Sequence, residues 1–268
     1  MKGYAIIKAK KKFGQNFLKD KFYLNKIAKA MPNTDNLVVE IGPGLGDLTE
    51  KLLEKRRVTA FEIDRELCEI LKEKFPNLDL KCGDVLEYWQ NGSLVNESYD
   101  LIANLPYYIA TNIILRALKD KNAKNILVLI QKEVADKFSA KVGDRNYGSL
   151  SILASQVAKV KKLFDIPPGA FVPAPKVMSS VILFEKFKDS YDEEFAKFLK
   201  VAFANPRKTL KKNLSKFKLN LSDFGLADTI RPHQVDADTF FQLFSASKER
   251  SEDGKNEFTT GDRKNNRE

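Results

Sequence analysis

Between residues 37 and 130, short apolar runs alternate with stretches of helical periodicity, and no other feature constrains the fold as strongly. The runs have the length of buried strands and lie at 37–41, 58–61, 78–80, 99–103 and 125–130. Between the second and third runs, Leu67, Ile70 and Leu71 recur at the spacing of an amphipathic helix. Strands that alternate with helices predict βαβ units around a parallel sheet, which is an α/β fold.

The remaining chain predicts an extension of this sheet and a second, smaller domain. Residues 158–164 and 178–187 have the pattern of two antiparallel edge strands joined by a Pro-rich loop, and helical patterns follow them. Because strands come first and helices afterwards, we expect a separate α-helical domain. The predicted segments are a basic, flexible lead-in at 1–12, an α/β domain at 13–190, an α-helical domain at 191–247 and a disordered, charge-balanced tail at 248–268.

Positive charge is concentrated in two segments of this 268-residue chain, whose net charge is +10. Residues 1–26 carry a net charge of +7 and residues 197–218 carry +8, so the remainder is net negative at −5. Two basic segments on a mildly acidic body favour a surface that binds a polyanion such as nucleic acid. Lysines scattered for solubility are the alternative.

The composition argues against several classes of protein. His233 is the single histidine, which disfavours a Ser-His-Asp triad, a histidine-rich metal site and a histidine general base. Cys68 and Cys82 lack metal-ligand spacing and are predicted to be reduced and buried. No apolar run reaches the roughly 18 residues that a membrane span needs, and the N-terminus lacks the apolar core of a signal peptide. We therefore expect a cytoplasmic protein that binds no metal and no membrane.

A glycine-rich turn and two acids follow the first three predicted strands. The segment 40–49 places Gly42 and Gly44 after the first strand, where glycines allow a sharp turn and the close approach of a ligand. Glu62 ends the second strand, where an acid can bind ribose hydroxyls, and Asp84 follows the third, where it can accept an adenine amine. Together they predict a nucleoside across the carboxyl edge of the sheet.

Two cofactors contain such a nucleoside, NAD and S-adenosylmethionine. The glycines read Gly-Pro-Gly-Leu-Gly rather than the Gly-x-Gly-x-x-Gly that is usual for NAD, and Pro43 removes a backbone donor. The region after the fourth strand also lacks the histidine or lysine arrangement typical of hydride transfer. The pattern therefore favours S-adenosylmethionine, with NAD as the alternative.

The Asn-Leu-Pro-Tyr motif at 104–107 follows the fourth predicted strand and indicates the chemistry. An adenine amine is a poor nucleophile because its lone pair is delocalised into the ring, so a catalyst needs two acceptors for its N–H groups. The Asn104 side-chain oxygen and the Leu105 carbonyl can supply them. Pro106 would fix the loop, and Tyr107 offers a face for base stacking. Positioning then supplies most of the catalysis; an ordinary Asn-x-Pro turn is the alternative.

Three further segments give weaker indications. The Pro-rich loop at 171–177 begins with Phe171, which either holds the second face of a flipped base or packs in the core. The segment 13–18 supplies polar and aromatic side chains that can reach or cover a ligand. The basic stretch at 205–214 either neutralises phosphates, which would make binding strongly salt-dependent, or forms a solvated helix face.

Taken in order, these motifs resemble the ribosomal RNA small-subunit adenine dimethyltransferase family. The matching segments are 13–18, 40–49, 62–64, 83–86, 104–107, 131–134, 147–151 and 171–177. The resemblance implies a Rossmann-like class I S-adenosylmethionine-dependent methyltransferase sheet with a small C-terminal α-helical domain. It also implies N6 dimethylation of two adjacent adenines in the loop of the 3′-terminal hairpin of 16S rRNA, an activity whose loss confers kasugamycin resistance.

The resemblance carries a set of site residues with it. Those implied at the cofactor are Gln15, Asn16, Leu18, Gly42, Gly44, Glu62, Ile63, Asp84, Val85 and Asn104. Those implied at the target adenine are Asn104, Leu105, Pro106, Tyr107 and Phe171. Those expected to bind RNA are Arg207, Lys208, Lys211 and Lys212, in the helical domain. The expected partner is 16S rRNA within the immature 30S subunit, and nothing in the sequence requires more than a monomer.

The sequence departs from the family pattern at three places. Tyr108 stands where the family often has Asn, residues 205–207 replace a more arginine-rich run, and His233 stands where an acid is usual. None of these departures touches the methyl-transfer groups. Three other functions stay open: an Erm-type 23S rRNA methyltransferase, a DNA adenine-N6 methyltransferase, and an assembly factor that binds the small subunit with incidental catalysis.

Overall fold

The computed structural model describes residues 9–10, 13–89 and 92–259, with residues 250–259 described by their backbone alone. The strands are β1 (Phe17–Leu18), β2 (Leu37–Ile41), β3 (Val58–Glu62), β4 (Asp79–Cys82), β5 (Tyr99–Asn104), β6 (Ala123–Gln131), β7 (Ala158–Ile166), β8 (Phe171–Val172) and β9 (Ser179–Lys186). The α-helices are α1 (Lys21–Lys29), α2 (Asp47–Leu53), α3 (Arg65–Lys74), α4 (Val85–Tyr88), α5 (Ala110–Lys119), α6 (Lys132–Ser139), α7 (Ser149–Ser155), α8 (Glu193–Ala202), α9 (Leu210–Asn213) and α10 (Ala237–Thr259). Within the described residues, no helix is both long and apolar enough to cross a membrane.

Seven strands form one mixed sheet, in the order β4-β3-β2-β5-β6-β9-β7. The strands β2 to β6 run parallel, and β9 lies antiparallel between β6 and β7. Parallel neighbours need crossover connections, and α2 to α5 supply them. The predicted α/β fold, with antiparallel strands at one edge of a parallel sheet, is therefore confirmed. The short sheet of β1 and β8 was not expected from the sequence.

The strand order creates a crevice at the carboxyl edge of the sheet. The chain runs outward from β2 to β4 and then returns to β5 on the other side of β2. Ligands of open α/β sheets bind where the order reverses in this way. At the same edge, the side chains of Asp64 and Asp84 accept backbone N–H groups and thereby begin α3 and α4. Each of these acids, two residues after the end of a strand, is thus held at the start of the helix that follows.

The chain divides into two compact units. One consists of Met1–Ser139 with Ala154–Ser190, and the other of Ala140–Leu153 with Tyr191–Glu268. The first contains the mixed sheet and ends at Ser190. The segment 140–153 was expected in the α/β domain, because no change in composition marks it off.

The core of the C-terminal unit is aromatic. Phe244 of α10 packs against two rings of α8, with centroid distances of 5.3 Å to Phe195 and 5.7 Å to Phe198. Helix α9 is short and is followed by a 3-10 turn at Ser215–Phe217. Helix α10 continues past residue 248, where a disordered tail was expected to begin. The last nine residues of that tail, and all of the lead-in except residues 9 and 10, lie outside the described part of the chain.

The expectation that both cysteines are reduced was wrong, although Cys68 is buried as expected. Cys68 and Cys82 form a disulfide with their Cα atoms 6.2 Å apart. They meet because α3, which carries Cys68, packs against β4, which ends with Cys82. Since β4 is an edge strand of the sheet, Cys82 is exposed rather than buried.

Candidate active site

A cavity opens at the carboxyl edge of the parallel sheet, between the N-terminal segment and the ends of β2 to β5. Its lining includes these residues expected from the sequence: Gln15, Asn16, Leu18, Gly42, Gly44, Glu62, Ile63, Asp84, Val85, Asn104, Leu105, Pro106 and Tyr107. Phe171 does not line it. In the described part of the chain, no group of His, Cys, Asp and Glu residues is arranged to hold a metal ion.

The glycine turn after β2 brings backbone to the surface of the cavity. Gly44 has a φ of 61°, in the left-handed region, and a Cβ there would lie 2.9 Å from the Phe17 ring. Its N–H donates to a carboxylate oxygen of Glu62 at 3.1 Å. Both the backbone conformation and the neighbouring ring therefore require glycine at this position.

Glu62 is held by backbone donors and keeps spare acceptor capacity. Its second oxygen accepts the N–H of Asp64 at 2.9 Å, and the residue is only 4% exposed. Burial raises the pKa of Glu62, while the N–H groups of Asp64 and Gly44 oppose that rise. Each carboxylate oxygen can accept a second hydrogen bond, so two ribose hydroxyls could be bound here.

Asp84 occupies the corresponding position after β4. One of its oxygens accepts the N–H of Leu86 at 2.9 Å, which fixes the carboxylate at the start of α4. Ile63 and Val85 line the same part of the cavity. An acid flanked by two apolar side chains suits an adenine ring, whose exocyclic amine donates to the carboxylate.

Glu40 also lines the cavity, although it was not among the residues expected at the site. It accepts the hydroxyl of Thr49 at 2.6 Å. Burial raises the pKa of Glu40 to about 8, and the nearby charge of Glu62 adds to the rise. Its position before the glycine turn was the available signal. That signal is weak because every residue of β2 is buried, so alternation along the strand does not single it out.

The N-terminal segment is fastened to the start of α3. Asp64 accepts hydrogen bonds from the Lys10 ammonium at 2.8 Å and from Nε2 of Gln15 at 3.0 Å. The other end of the Gln15 amide accepts the backbone N–H of Lys10 at 2.7 Å. Because both ends of this amide are used within the protein, Gln15 positions the segment. Gln15 also lines the cavity, and its expected contact with the cofactor stays a prediction.

Asn104 ends β5 with a defined side-chain orientation. Its Nδ2 donates to the carbonyl oxygen of Asn16 at 3.0 Å. This bond leaves Oδ1 of Asn104 as the acceptor of the amide. The N–H of Leu105 donates to the carbonyl of Leu129 at 3.1 Å, which extends the β5–β6 pairing into the loop. The motif therefore stands on a rigid strand end.

Two tyrosines follow Pro106 at the cavity. The Tyr107 hydroxyl lies 2.7 Å from the hydroxyl of Ser179, and burial raises the pKa of Tyr107 while this hydrogen bond opposes the rise. Tyr108 is 64% exposed, and its ring lies 3.2 Å from where a Cβ on Gly14 would be. Burial raises the pKa of Tyr108, and the charges of Asp84 and Glu62 add to the rise, so the phenol is neutral near pH 7.

Phe171 lies in the hydrophobic core, which corrects its expected role at the target base. It is 3% exposed and packs in one cluster with Leu18, Leu24 and Ile166. The pairing of β1 with β8 sets Phe171 opposite Leu18 and turns the ring inward. Of the two interpretations of the Pro-rich loop, the core position is the one observed.

The basic residues expected to bind RNA are exposed on the C-terminal unit. Arg207 and Lys208 lie in the turn before α9, and Lys211 and Lys212 lie on that helix. Lys211 forms an ion pair with Asp228. Among the described residues, Arg207, Lys208 and Lys212 form no ion pair, so their charges are available to phosphates.

The sequence as a whole matches known proteins over nearly its full length. The profile of the family described as ribosomal RNA adenine dimethylase matches residues 6–248. A ribosomal RNA small subunit methyltransferase A from Sulfurimonas denitrificans is 52% identical over 265 residues, which are 94% of this chain and 98% of that protein. A protein of the same name from Campylobacter concisus is 50% identical, over 92% of this chain and 97% of that one.

Two solved structures share the fold. A dimethyladenosine transferase from Plasmodium falciparum aligns with a TM-score of 0.73 at 24% identity, over 87% of this chain and 98% of that one. The 23S rRNA methyltransferase ErmE aligns with a TM-score of 0.68 at 22% identity, over 87% and 100%. These neighbours confirm the Rossmann-like α/β architecture.

Proposed function

The chain belongs to the ribosomal RNA adenine dimethylase family, and from that premise we propose that it dimethylates N6 of two adjacent adenines in the 3′-terminal hairpin of 16S rRNA. The observation that carries the proposal is Asn104, whose amide is fixed by Asn16 so that its oxygen is the group left to accept a hydrogen bond. The names of the related proteins favour the small ribosomal subunit over the large one.

The family and the fold imply S-adenosylmethionine as the methyl donor. The residues present fit this cofactor: the glycine turn with Gly44 lines the cavity, while Glu62 and Asp84 offer carboxylate oxygens to the ribose and the adenine amine. When bound, the cofactor supplies a methyl group that is already activated by its sulfonium centre. The protein therefore has to orient the two reactants rather than create the electrophile.

Asn104 and the backbone carbonyl of Leu105 would orient the target amine. Each accepts one N–H of the adenine amine, which favours a pyramidal nitrogen with its lone pair directed at the methyl group. Asn104 is a neutral amide, so it positions the amine and does not remove its proton. After methyl transfer, the amine is cationic and releases that proton to water. The Tyr107 ring would stack on the base and hold it in this position.

The test is methyl transfer from tritiated S-adenosylmethionine to undermethylated 30S subunits, followed by nucleoside analysis of the 16S rRNA. We expect label in N6,N6-dimethyladenosine from the 3′-terminal hairpin, and none when the subunits are already methylated. Label in 23S rRNA instead would support the Erm-type alternative. Transfer to neither RNA, with cofactor binding intact, would contradict the proposed substrate.

Asn104→Ala tests the site itself. We expect methyl transfer to fall by about 100- to 1000-fold, since a preorganised acceptor is lost. Binding to the 30S subunit, measured by filter retention, should be unchanged. Asn125→Ala is the matched control, because Asn125 donates to Asp100 at 2.7 Å, away from the cavity. Normal methylation by Asn104→Ala would show that catalysis does not depend on this amide.

We further propose that the C-terminal unit binds RNA phosphates through Arg207, Lys208, Lys211 and Lys212. Replacing Lys211 and Lys212 with Ala should weaken 30S binding and lower the slope of log affinity against log salt by about 1 to 2. Lys72 and Lys137, both on helices of the sheet-containing unit, form the control pair of equal charge. Unchanged binding and slope would show that α9 presents a solvated face only.

The proposal extends to the setting of the reaction. We propose that the substrate is an immature 30S subunit, that the enzyme acts as a monomer, and that it works in the cytoplasm where such subunits assemble. Comparing methyl transfer to 30S precursors and to free 16S rRNA tests the first point. Light scattering during size-exclusion chromatography tests the second, with a mass near the chain's 30.4 kDa as the expected result.

A further inference from the structure

A buried serine outside the motifs of the site contacts the tyrosine of the Asn-Leu-Pro-Tyr loop. The Ser179 hydroxyl lies 2.7 Å from the hydroxyl of Tyr107, although the two residues are 72 positions apart in the chain. Ser179 is completely buried, whereas Tyr107 lines the cavity. The phenol hydroxyl is therefore held by a buried group, while Tyr107 itself lines the cavity.

Ser179 itself stands on a rigid part of the fold. It is the first residue of β9, where it pairs with Gln131 of β6 on one side and Ile166 of β7 on the other. The carbonyl of Met178, the residue before it, accepts the N–H of Lys132 at 3.0 Å. The hydroxyl is thus held by a strand with neighbours on both sides.

The burial of Phe171 increases the importance of this contact. With Phe171 in the core, Tyr107 is the aromatic residue of the Asn-Leu-Pro-Tyr loop left to stack on the target adenine. A tyrosine ring has two rotatable bonds, so a ring without an anchor would sample several orientations. We propose that Ser179 is a positioning residue, which fixes the Tyr107 ring for the methyl transfers; this rests on the proposed function.

The second methyl transfer should depend on this contact more than the first. An unmethylated amine can donate two N–H groups, to Asn104 and to the Leu105 carbonyl. After the first transfer only one N–H remains, so the base has lost one of its two orienting hydrogen bonds. Stacking on Tyr107 must then supply a larger share of the orientation. A loosened ring is therefore expected to leave N6-methyladenosine as a product.

The experiment compares Ser179→Ala, Tyr107→Phe and the double variant under single-turnover conditions with undermethylated 30S subunits. Each single variant removes one partner of the same hydrogen bond. We expect a roughly 5- to 30-fold slower second transfer in each, a higher ratio of monomethyl to dimethyl product, and no further loss in the double variant. The affinity for S-adenosylmethionine, measured by calorimetry, and the KM for 30S subunits should change less than twofold.

Ser180→Ala is the matched control. Ser180 is equally buried and donates to Asp165 at 2.6 Å, but it does not contact Tyr107. A loss of folded protein would lower both transfers together and leave the product ratio unchanged, so the ratio separates positioning from stability. A wild-type ratio in Ser179→Ala and in Tyr107→Phe would overturn the inference. Activity of the wild-type enzyme on 30S subunits tests the proposed function separately, so the two failures are distinguishable.

Discussion

Buried acidic side chains lie at both ends of the parallel strands, at the carboxyl edge with the cavity and at the opposite, amino edge, and their hydrogen-bond partners differ. At the edge away from the cavity, Asp100 and Asp120 are completely buried. The donors to Asp120 are the Trp89 indole, the Ser93 and Tyr99 hydroxyls and the backbone N–H groups of Leu94 and Asn122. The donors to Asp100 are Thr34, Asn36, Arg56 and Asn125. These two acids have donors enough to fill their lone pairs.

At the cavity edge, the acids are far less satisfied. Glu40 accepts one hydroxyl, and Glu62 accepts two backbone N–H groups. No Lys or Arg of the described residues forms an ion pair with either of them. Burial raises the pKa of both as a result. Asp84 likewise accepts one backbone N–H, that of Leu86 at 2.9 Å.

Without reference to any relative, this difference gives a criterion that distinguishes acids that stabilise the fold from acids that we propose bind the cofactor. A buried carboxylate surrounded by donors has no acceptor position left for a ligand. Its removal leaves those donors without an acceptor. A buried carboxylate with spare acceptor positions at a cavity lowers the stability of the protein without its ligand. A ligand that supplies the missing donors stabilises it. Substitutions at the two edges should therefore have opposite signatures, in stability at one edge and in ligand binding at the other.

The largest effect is expected from Asp120→Ala. This change leaves the indole of Trp89 and the hydroxyl of Tyr99 without an acceptor in the core. We expect the free energy of unfolding to fall by about 4 kcal/mol, measured by urea denaturation. The affinity of the folded fraction for S-adenosylmethionine should be unchanged. Unchanged stability would show that water satisfies these donors in place of Asp120. Asp120 would then not be an acid that stabilises the fold.

Glu62→Gln tests whether an acid at the cavity binds the cofactor. We expect the affinity for S-adenosylmethionine to fall by about 100-fold, because charge-assisted hydrogen bonds to two ribose hydroxyls are lost. Stability should change by only about 1 kcal/mol, since removal of a buried charge offsets one weakened backbone hydrogen bond. Calorimetry and urea denaturation of the same preparation measure the two quantities. A large loss of stability with normal affinity would place Glu62 with the structural acids.

Glu40→Gln tests the pKa directly. With a folded pKa of about 8 and an unfolded value near 4.5, Glu40 binds its proton in the folded state while the unfolded chain has lost it. The contribution of the protonated carboxyl is complete below pH 4.5 and is lost as the pH rises toward 8. We expect about 2 kcal/mol of wild-type stability to disappear between pH 6 and pH 8 through this residue.

The Gln variant keeps an acceptor for Thr49 but cannot ionise, so its stability should depend less on pH over the same range. Urea denaturation at pH 6 and pH 8 measures the difference between the two proteins. Glu87→Gln, an exposed acid on α4, serves as the control and should follow the wild type. Equal pH dependence of wild type and Glu40→Gln would mean that water reaches Glu40 in the folded protein.

Much of the cavity edge could be predicted from the sequence because its chemistry follows the strand ends. Three of the apolar runs are followed, within three positions, by a residue with a recognisable role: Gly44, Glu62 or Asn104. The carboxyl ends of parallel strands meet at one edge of the sheet, so these residues lie together. The opposite edge offered no such signal. Asp120 collects most of its donors from residues 89–99, which lie 21 to 31 positions earlier in the chain. From the sequence alone, a lone aspartate after a helix is interpreted as a surface residue.

The sequence also could not separate side chains that contact a ligand from those that hold them. Gln15, Phe171 and Ser179 lie near motifs of the site, but their roles depend on contacts made across the fold. Gln15 bonds to Asp64, Phe171 joins the core through the β1–β8 pairing, and Ser179 meets Tyr107. Local pattern fixes where a residue stands along a strand or loop. Which neighbour its side chain meets is decided by tertiary packing.

The smallest effect is expected at Tyr108, which contributes an aromatic ring to the cavity rather than a charge. Its ring packs over Gly14 and lies near Glu62 and Asp84, so it can close on a nucleoside held by those acids. Tyr108→Asn should weaken S-adenosylmethionine binding by about fivefold, through lost apolar contact, with kcat at saturating cofactor unchanged. Tyr108→Phe keeps the ring and should bind normally. If Asn binds as well as Tyr, the acids alone hold the cofactor and the edge stays open in the complex. If Phe binds as weakly as Asn, the phenol hydroxyl rather than the ring makes the contact.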